Sequence, residues 1–221
     1  MKDKKILFPL VLSLICFVLF IVEIILVCCF DVQAIGPLDS SVGFATVNQK
    51  MRSLIGFDKA WYNISEALGI LSILCAVGFA AFGAYRLIKT KKLSGVGNDI
   101  IALGIVFVLS AVFYVVFEIA VVNYRPILVE GELEASFPSS HTMLAVSVLG
   151  CAAEYFFESK LKNVLRFTLH TVFNVVLILL VVSRLLSGVH WFTDIVGGIT
   201  LGLALVFLYC ALSKLEIVKS K

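Results

Sequence analysis

The segment that organises this chain covers residues 183–194 and has the sequence SRLLSGVHWFTD. It places Arg184, His190 and Asp194 at a short, fixed spacing between two long apolar segments. Arginine keeps its charge and presents a fork of donors that suits phosphate oxygens. His190 and Asp194 are four residues apart, so on a helix they share one face and the carboxylate can orient the imidazole. The segment therefore predicts a polar functional site at the junction of two apolar helices.

The composition excludes a soluble globular protein. Hydrophobic residues make up 61% of the 221 residues, and the mean hydropathy is +1.06, whereas soluble domains are about one half apolar. The net charge of +3 is spread over loops, which argues against a nucleic-acid partner. We therefore predict an integral membrane protein with one domain, residues 1–221, surrounded by membrane lipids.

Six segments are apolar over roughly the 20 residues that a helix needs to cross a bilayer. They are residues 6–30, 64–88, 100–122, 142–157, 167–182 and 192–212. The fourth is short and is expected to borrow residues from its flanks. The predicted fold class is all-α, a polytopic membrane protein built as a bundle of six transmembrane helices.

The distribution of basic residues predicts the orientation of the bundle. Thirteen of the eighteen lysines and arginines lie in the two terminal segments and two of the loops: Lys2, Lys4, Lys5, Arg86, Lys89, Lys91, Lys92, Lys160, Lys162, Arg166, Lys214, Lys219 and Lys221. Because such residues concentrate on the cytoplasmic side, both termini are predicted to be cytoplasmic. The other three connections, near residues 31–63, 123–141 and 183–191, are then predicted to face outward.

The first outward connection, about residues 31–63, contains a helical pattern. Phe44, Val47, Met51, Leu54 and Ile55 recur at helical spacing with polar residues between them, which indicates a short amphipathic helix at the membrane interface. Two interpretations stay open: the helix only completes the loop, or it forms a lid over an outward site.

The second outward connection carries Arg125, which is followed by a proline, and residues 137–141, FPSSH. A proline at the first helical position with serines beside it indicates a helix start. Ser139, Ser140 and His141 are therefore predicted at the N-terminus of the fourth helix, where free backbone N–H groups favour an anion.

The predicted helix ends bring these polar groups together on one outward face. Arg125 is predicted to close the third helix and Arg184 the fifth. The groups that would then lie together are two arginines, two histidines, one aspartate and two helix N-termini. Phosphoryl transfer requires groups of these kinds.

These residues resemble three known sequence motifs. Arg125-Pro126, the PSSH of residues 138–141 and the Ser183-Arg184, His190 and Asp194 set resemble the signature motifs of the type 2 phosphatidic acid phosphatase superfamily, which includes the vanadium haloperoxidases. The resemblance covers about residues 118–198 and implies the six-helix layout of the membrane lipid phosphatases in that superfamily.

The resemblance also implies a role for each matching residue. His190 would attack phosphorus to form a phosphohistidine, with Asp194 orienting it, and His141 would protonate the departing oxygen and then activate water. The phosphate would be bound by Arg125, Arg184, Ser139 and the backbone N–H of Ser140. Such a scheme requires no metal and no cofactor. The six cysteines form no CxxC pair and no cluster with histidine, so they suggest no metal site.

Two positions depart from the pattern of the superfamily. The first motif begins with a lysine seven residues before the arginine, and here that position is Glu118. A carboxylate beside a phosphate adds repulsion unless it is protonated or paired with Arg125 or Arg184. The usual glycine of the second motif is Ser140, which keeps the backbone donor.

The function expected from the sequence is hydrolysis of a lipid phosphate or diphosphate on the outer face of a plasma membrane, of bacterial type. Undecaprenyl diphosphate, phosphatidylglycerol phosphate and phosphatidic acid are all chemically allowed as substrates. The alternative is a catalytically silent protein of the same fold that binds lipid phosphates or acts as a scaffold, and Glu118 is the feature that favours it.

Overall fold

A computed structural model of the chain describes residues 2–215 and residue 217. In this part of the chain the α-helices are α1 (Lys2–Cys29), α2 (Ala45–Ile55), α3 (Lys59–Thr90), α4 (Asn98–Ile119), α5 (Ser140–Leu144), α6 (Gly150–Glu158), α7 (Asn163–Leu186) and α8 (Phe192–Leu212). A π-helical turn, Ala145–Leu149, joins α5 to α6, and two 3-10 turns lie at Pro37–Asp39 and Leu93–Gly95. Strands β1 (Gln33–Ala34) and β2 (Ser41–Val42) form a small antiparallel hairpin after α1. The predicted all-α membrane fold is confirmed.

Five of the described helices are long and apolar enough to cross a membrane. They are Lys4–Cys29, Lys59–Thr90, Asn98–Ile119, Asn163–Leu186 and Phe192–Leu212. Large apolar side chains cover their outer surfaces; Ile88, Ile119 and Val164 are 75%, 79% and 81% exposed. Such a surface is stable only in a lipid environment.

The prediction of six spans is not confirmed exactly, because the fourth predicted span is interrupted. Residues 142–157 lie in the stretch formed by α5, the π turn and α6, and neither helix is long enough alone. The π turn is buried among the other helices, where the Ser110 hydroxyl donates to the Ser147 hydroxyl at 3.0 Å. A π turn changes the ladder of backbone hydrogen bonds, so one apolar stretch becomes two short helices.

Helix α8 is the most buried of the long helices, and it contacts α1, α4, α5, α6 and α7. On the α1 side, the Ser13 hydroxyl donates to the backbone oxygen of Ala204 at 2.8 Å. One turn away on α8, the Thr200 hydroxyl donates to Glu23 Oε1 at 2.8 Å. Glu23, a carboxylate inside an apolar helix, therefore has a partner in the core of the bundle.

A glycine on α8 allows the second motif to approach the third. A Cβ atom at Gly198 would lie 2.8 Å from the backbone oxygen of Ser139 and 2.9 Å from Cβ of Thr142. Only glycine fits at this distance. Beside this contact the Ser139 N–H donates to the backbone oxygen of Asp194 at 2.9 Å, so the starts of α5 and α8 are fixed against each other.

Two details of the predicted helix ends are wrong. Helix α4 ends at Ile119, so Arg125 lies in the loop that follows and does not close the third helix. Helix α5 begins at Ser140 with Ser139 as its N-cap, so Pro138 precedes the helix instead of occupying its first position. The backbone N–H of Arg125 donates to the Glu134 carbonyl at 3.1 Å, so Arg125 pairs within the loop instead of continuing a helix.

The other expectations on the loops have mixed outcomes. The connection of residues 31–63 contains α2, Ala45–Ile55, the short helix predicted there, and Arg184 lies in the last turn of α7. Lys219 and Lys221, which contributed to the predicted orientation, lie outside the described residues.

Candidate active site

The structure brings the three motifs together at one end of the bundle. The start of α5 contributes Ser139 to His141, the end of α7 contributes Arg184, and the following loop and the start of α8 contribute His190 and Asp194. Arg125 lies in the loop after α4, next to Tyr124, whose backbone oxygen accepts the Nε1–H of Trp191 at 2.7 Å. The predicted site residues are therefore neighbours in space, although they come from four separate segments.

Asp194 is joined to His190 through a third residue, Ser136. The Ser136 hydroxyl donates to Asp194 Oδ2, and Ser136 Oγ lies 3.1 Å from His190 Nδ1. Direct contact between His190 Nδ1 and Asp194 Oδ2 is longer, 3.6 Å. Asp194 Oδ2 also accepts the backbone N–H of Trp191 at 2.8 Å, which caps α8. The carboxylate therefore fixes both the helix start and, through Ser136, the imidazole.

The hydrogen-bond partners of His190 define which of its nitrogens carries the proton. The hydroxyl of Ser136 has one hydrogen, and it donates that hydrogen to Asp194. Ser136 Oγ must therefore accept a hydrogen bond from Nδ1–H of His190. On the other side, Arg184 Nη2 lies 3.4 Å from His190 Nε2, and a guanidinium can only donate. Both contacts indicate the same tautomer of His190: Nδ1 carries the proton, and Nε2, which faces Arg184, carries the lone pair.

His190 is also held in its neutral form. Its side chain is 1% exposed, and this burial lowers its pKa well below the ordinary value of 6.5. The positive charges of Arg184, Arg125 and His141 lower the pKa further, because each repels a second proton on the ring. A neutral imidazole with an unprotonated Nε2 can act as a nucleophile.

Helix α3, which carries none of the three motifs, contacts Arg184 through several side chains. The guanidinium is 1% exposed; its Nη1 donates to the Ser65 hydroxyl at 3.1 Å and to Glu66 Oε1 at 2.7 Å. The ring of Tyr62 lies 5.7 Å from the guanidinium carbon, within the range of a cation–π contact. Arg184 is thus compensated by residues more than one hundred positions away.

His141 contacts the same carboxylate. Its Nε2 lies 3.3 Å from Glu66 Oε2, while its Nδ1 is buried and has no hydrogen-bond partner among the described residues. A Cβ atom at Gly69, one turn along α3, would lie 2.7 Å from Cδ2 of His141. The glycine therefore lets the imidazole rest directly against α3.

Arg125 and Glu118 have separate environments. Arg125 Nη2 lies 3.2 Å from Glu134 Oε2, and its Nε donates to the Ala135 carbonyl at 3.4 Å. Glu118 is exposed, and among the described residues it pairs with neither Arg125 nor Arg184. It lines a cavity of about 10 Å³ together with Ser140 and His190. This space is about the size of one water molecule.

Helix α2 contacts the loop that carries His190. Arg52 Nη1 donates to the backbone oxygen of Gly188, and the Asn48 amide donates to the Thr193 hydroxyl at 2.9 Å. The Thr193 N–H donates in return to Asn48 Oδ1 at 3.2 Å. Of the two interpretations of this helix, a loop element or a lid, these contacts favour a support for the segment 183–194.

Sequence reasoning missed Ser136 and the α3 residues Tyr62, Ser65 and Glu66. One signal for Glu66 was present, because an ionisable residue inside a predicted span usually marks a functional contact. Ser136 carried no such signal, since a lone serine in a loop is common. Among the described residues, the structure contains no group of three or more His, Cys, Asp or Glu side chains arranged to hold a metal ion.

Comparisons with known proteins agree with the motifs. Residues 113–216 match the family model of the PAP2 superfamily. Phosphatidylglycerophosphatase B of Bacillus subtilis (strain 168) is 35% identical over 91 residues, which is 39% of this chain and 42% of that protein. The matched region thus spans less than half the length of that relative. The resemblance to the superfamily predicted from the sequence is confirmed.

A solved structure shows the same fold. It is the crystal structure of a transmembrane PAP2-type phosphatidylglycerolphosphate phosphatase from Bacillus subtilis. The TM-score is 0.63 at 21% sequence identity, and the match covers 89% of this chain and 93% of the other. At this level of identity the likeness establishes the fold.

We expect the His190 imidazole to stay neutral, with its proton on Nδ1, well below pH 6.5. Burial and the neighbouring positive charges lower its pKa on folding, whereas the unfolded chain takes up the proton near pH 6.5. The folded state should therefore lose stability as the pH falls below that value. Nitrogen-15 NMR of histidine-labelled protein, with signals assigned by His190→Gln, measures the protonation directly. An imidazolium signal for His190 at pH 6.5 would contradict this expectation.

Proposed function

We propose that the protein is a membrane-bound phosphatase acting on a lipid phosphate or diphosphate, a proposal supported by the match of residues 113–216 to the PAP2 family model. The observation that carries the proposal is the state of His190: neutral, buried, with Nε2 unprotonated and facing Arg184. A nucleophile directed at a guanidinium is placed to attack an anionic phosphorus centre that the guanidinium binds.

In the proposed first step, the Nε2 lone pair of His190 forms a bond to phosphorus while the bond from phosphorus to the lipid oxygen breaks. The departing oxygen takes a proton from His141. The product is a phosphohistidine on His190 and a free lipid alcohol, or a lipid monophosphate when the substrate is a diphosphate. Asp194, through Ser136, keeps Nδ1 protonated and stabilises the positive charge that develops on the ring.

In the proposed second step, His141 removes a proton from water, and the water oxygen attacks phosphorus. The bond from phosphorus to His190 Nε2 breaks, which releases inorganic phosphate and restores the neutral imidazole. Arg184 and Arg125, with Ser139 and the backbone N–H of Ser140, are proposed to bind the phosphoryl oxygens. Two guanidinium charges then neutralise the negative charge of the transition state, so the proposed reaction needs no metal ion.

The shape of the bundle supports a lipid substrate. A groove of about 410 Å³ lies between α3, α4 and α5, with Glu66 and His141 at its polar part. Its other walls are largely apolar and include Ile70, Ile73 and Leu144. An acyl or prenyl chain in this groove would place its phosphate beside His141. The name of the similar Bacillus subtilis protein favours phosphatidylglycerol phosphate, with phosphatidic acid and undecaprenyl diphosphate as the other candidates.

The proposed location follows from the basic residues of the loops. With both termini cytoplasmic, the end of the bundle that carries His141 and His190 faces outward from a bacterial plasma membrane. The second reaction step then draws water from the external solvent.

A second candidate function is binding of lipid phosphates without catalysis. Glu118 favours it, because an exposed carboxylate beside His190 and Ser140 repels phosphate, and neither site arginine neutralises it. The ordered set of His190, Ser136 and Asp194 favours the enzyme, since binding alone does not require a nucleophile in a fixed tautomer.

We expect purified protein in detergent to release phosphate from at least one of the three lipids with EDTA present. His190→Ala should lower kcat at least about a thousandfold, because it removes the nucleophile. A phosphate-release assay on the three lipids and on water-soluble esters measures both the activity and the substrate class. Equal background release by wild type and His190→Ala on every lipid would contradict the enzyme and favour the silent protein. A preference for water-soluble esters would contradict the lipid substrate.

Glu118→Lys is expected to lower KM a few-fold with kcat retained, since the charge change replaces repulsion of phosphate by attraction at an exposed position. The structure supports this direction because Glu118 pairs with neither site arginine. Glu132→Lys, an exposed change of the same charge in the next loop, is the matched control and should leave KM unchanged. A large loss of kcat in Glu118→Lys would show instead that Glu118 belongs to a tuned arrangement of the site.

A further inference from the structure

One carboxylate, Glu66 on α3, connects two groups that the proposed reaction uses in different roles. Its Oε1 accepts from Arg184 Nη1 at 2.7 Å, and its Oε2 lies 3.3 Å from His141 Nε2. Arg184 Nη2 in turn reaches His190 Nε2 at 3.4 Å. The phosphate clamp and the leaving-group acid are therefore tied to the same side chain, which comes from a helix outside residues 113–216.

The surroundings on α3 fit this connection. Ser65 accepts a second hydrogen bond from Arg184 Nη1, at 3.1 Å, and the Tyr62 ring lies along the guanidinium. One turn further, the missing side chain of Gly69 leaves room for the His141 ring. One face of α3 thus holds both Arg184 and His141, and Glu66 supplies the charge between them.

The two nitrogens of His141 are used unequally. Nε2 faces Glu66, whereas Nδ1 is buried and has no partner among the described residues. A buried polar atom without a partner is costly unless something else binds it. Since a carboxylate only accepts, the nitrogen that faces Glu66 keeps its proton.

We propose that Glu66 is the positioning residue of the general acid: it holds Nε2–H of His141, so that Nδ1 exchanges the catalytic proton. This inference rests on the proposed function. In the first step Nδ1–H gives its proton to the departing oxygen as the bond from that oxygen to phosphorus breaks. In the second step the Nδ1 lone pair takes a proton from water. Nε2–H stays on Glu66 throughout, and Glu66 itself gains and loses nothing.

The consequence is a dependence on the leaving group. An alkoxide leaves only with a proton, so decyl phosphate needs the acid, whereas p-nitrophenyl phosphate expels a stable phenolate that needs none. A defect in folding or in the Arg184 clamp would slow both esters alike. A defect in the acid alone slows the alkyl ester selectively.

The test compares Glu66→Gln with wild type on these two esters. Glutamine keeps the shape, but its amide can offer an oxygen to only one of the two donors, Arg184 or His141. We expect kcat for decyl phosphate to fall roughly tenfold to a hundredfold, and kcat for p-nitrophenyl phosphate to change less than about threefold. His141→Ala should show the same selectivity, and the double variant should be no slower than His141→Ala alone. Glu132→Gln, which removes an exposed charge, is the matched control and should equal wild type.

Each outcome decides one question. Equal loss on both esters in Glu66→Gln, or no loss on either, would overturn the role of Glu66 while leaving the phosphatase in place. If wild type hydrolyses neither these esters nor the three lipids, the proposed function fails and this inference falls with it.

If Glu66→Gln does not yield a monodisperse protein, Glu66→Asp makes the same comparison, because it keeps the charge but is too short to reach both donors. The same selective loss on decyl phosphate is then expected, and loss on both or on neither would overturn the role.

Discussion

The burial of the Arg184 guanidinium constrains the rest of the site. A cation that is 1% exposed inside a membrane protein must be compensated by nearby acceptors. Helix α3 supplies Ser65 and Glu66, and the loop before α8 supplies the ring nitrogen of His190. The pKa of His190 is lowered first by burial and then by this cation, and the guanidinium faces Nε2, the ring nitrogen that carries no proton. The packing of α3 against α7 and the state of His190, the proposed nucleophile, thus both depend on one charge.

The two histidines differ because their surroundings differ. His190 is buried between the Arg184 guanidinium and Ser136, whose hydroxyl donates to Asp194. His141 is 29% exposed and faces the carboxylate of Glu66. A guanidinium can only donate a hydrogen bond, so it faces a ring nitrogen without a proton, whereas a carboxylate accepts, so it faces an N–H. The two histidines can therefore take the different proposed roles of nucleophile and acid.

Motif spacing and hydropathy predicted the helical membrane fold and the residues that the structure places together. Arg184, His190 and Asp194 lie close together because local spacing fixes their relation across the loop from α7 to α8. Sequence reasoning missed Glu66 and Ser136, whose contacts join residues far apart in sequence and depend on how the helices pack. The count of six spans was not confirmed exactly for a related reason, since hydropathy does not reveal a π turn that forms against Ser110 of another helix. The sequence predicted Arg125 at the end of a helix, whereas it lies in a loop and pairs with Glu134. Such pairing within a loop produces no periodic pattern in the sequence.

The central claim is that His190 carries the phosphoryl group during turnover. It is tested most directly by rapid mixing of enzyme with substrate, an alkaline quench that preserves phosphohistidine, and mass spectrometry of the peptides. The predicted result is a phosphate-bearing peptide with the modification on His190, which appears before free phosphate and is absent from His190→Ala. Turnover with no modified peptide, or with the phosphate on His141 or another residue, would contradict the claim.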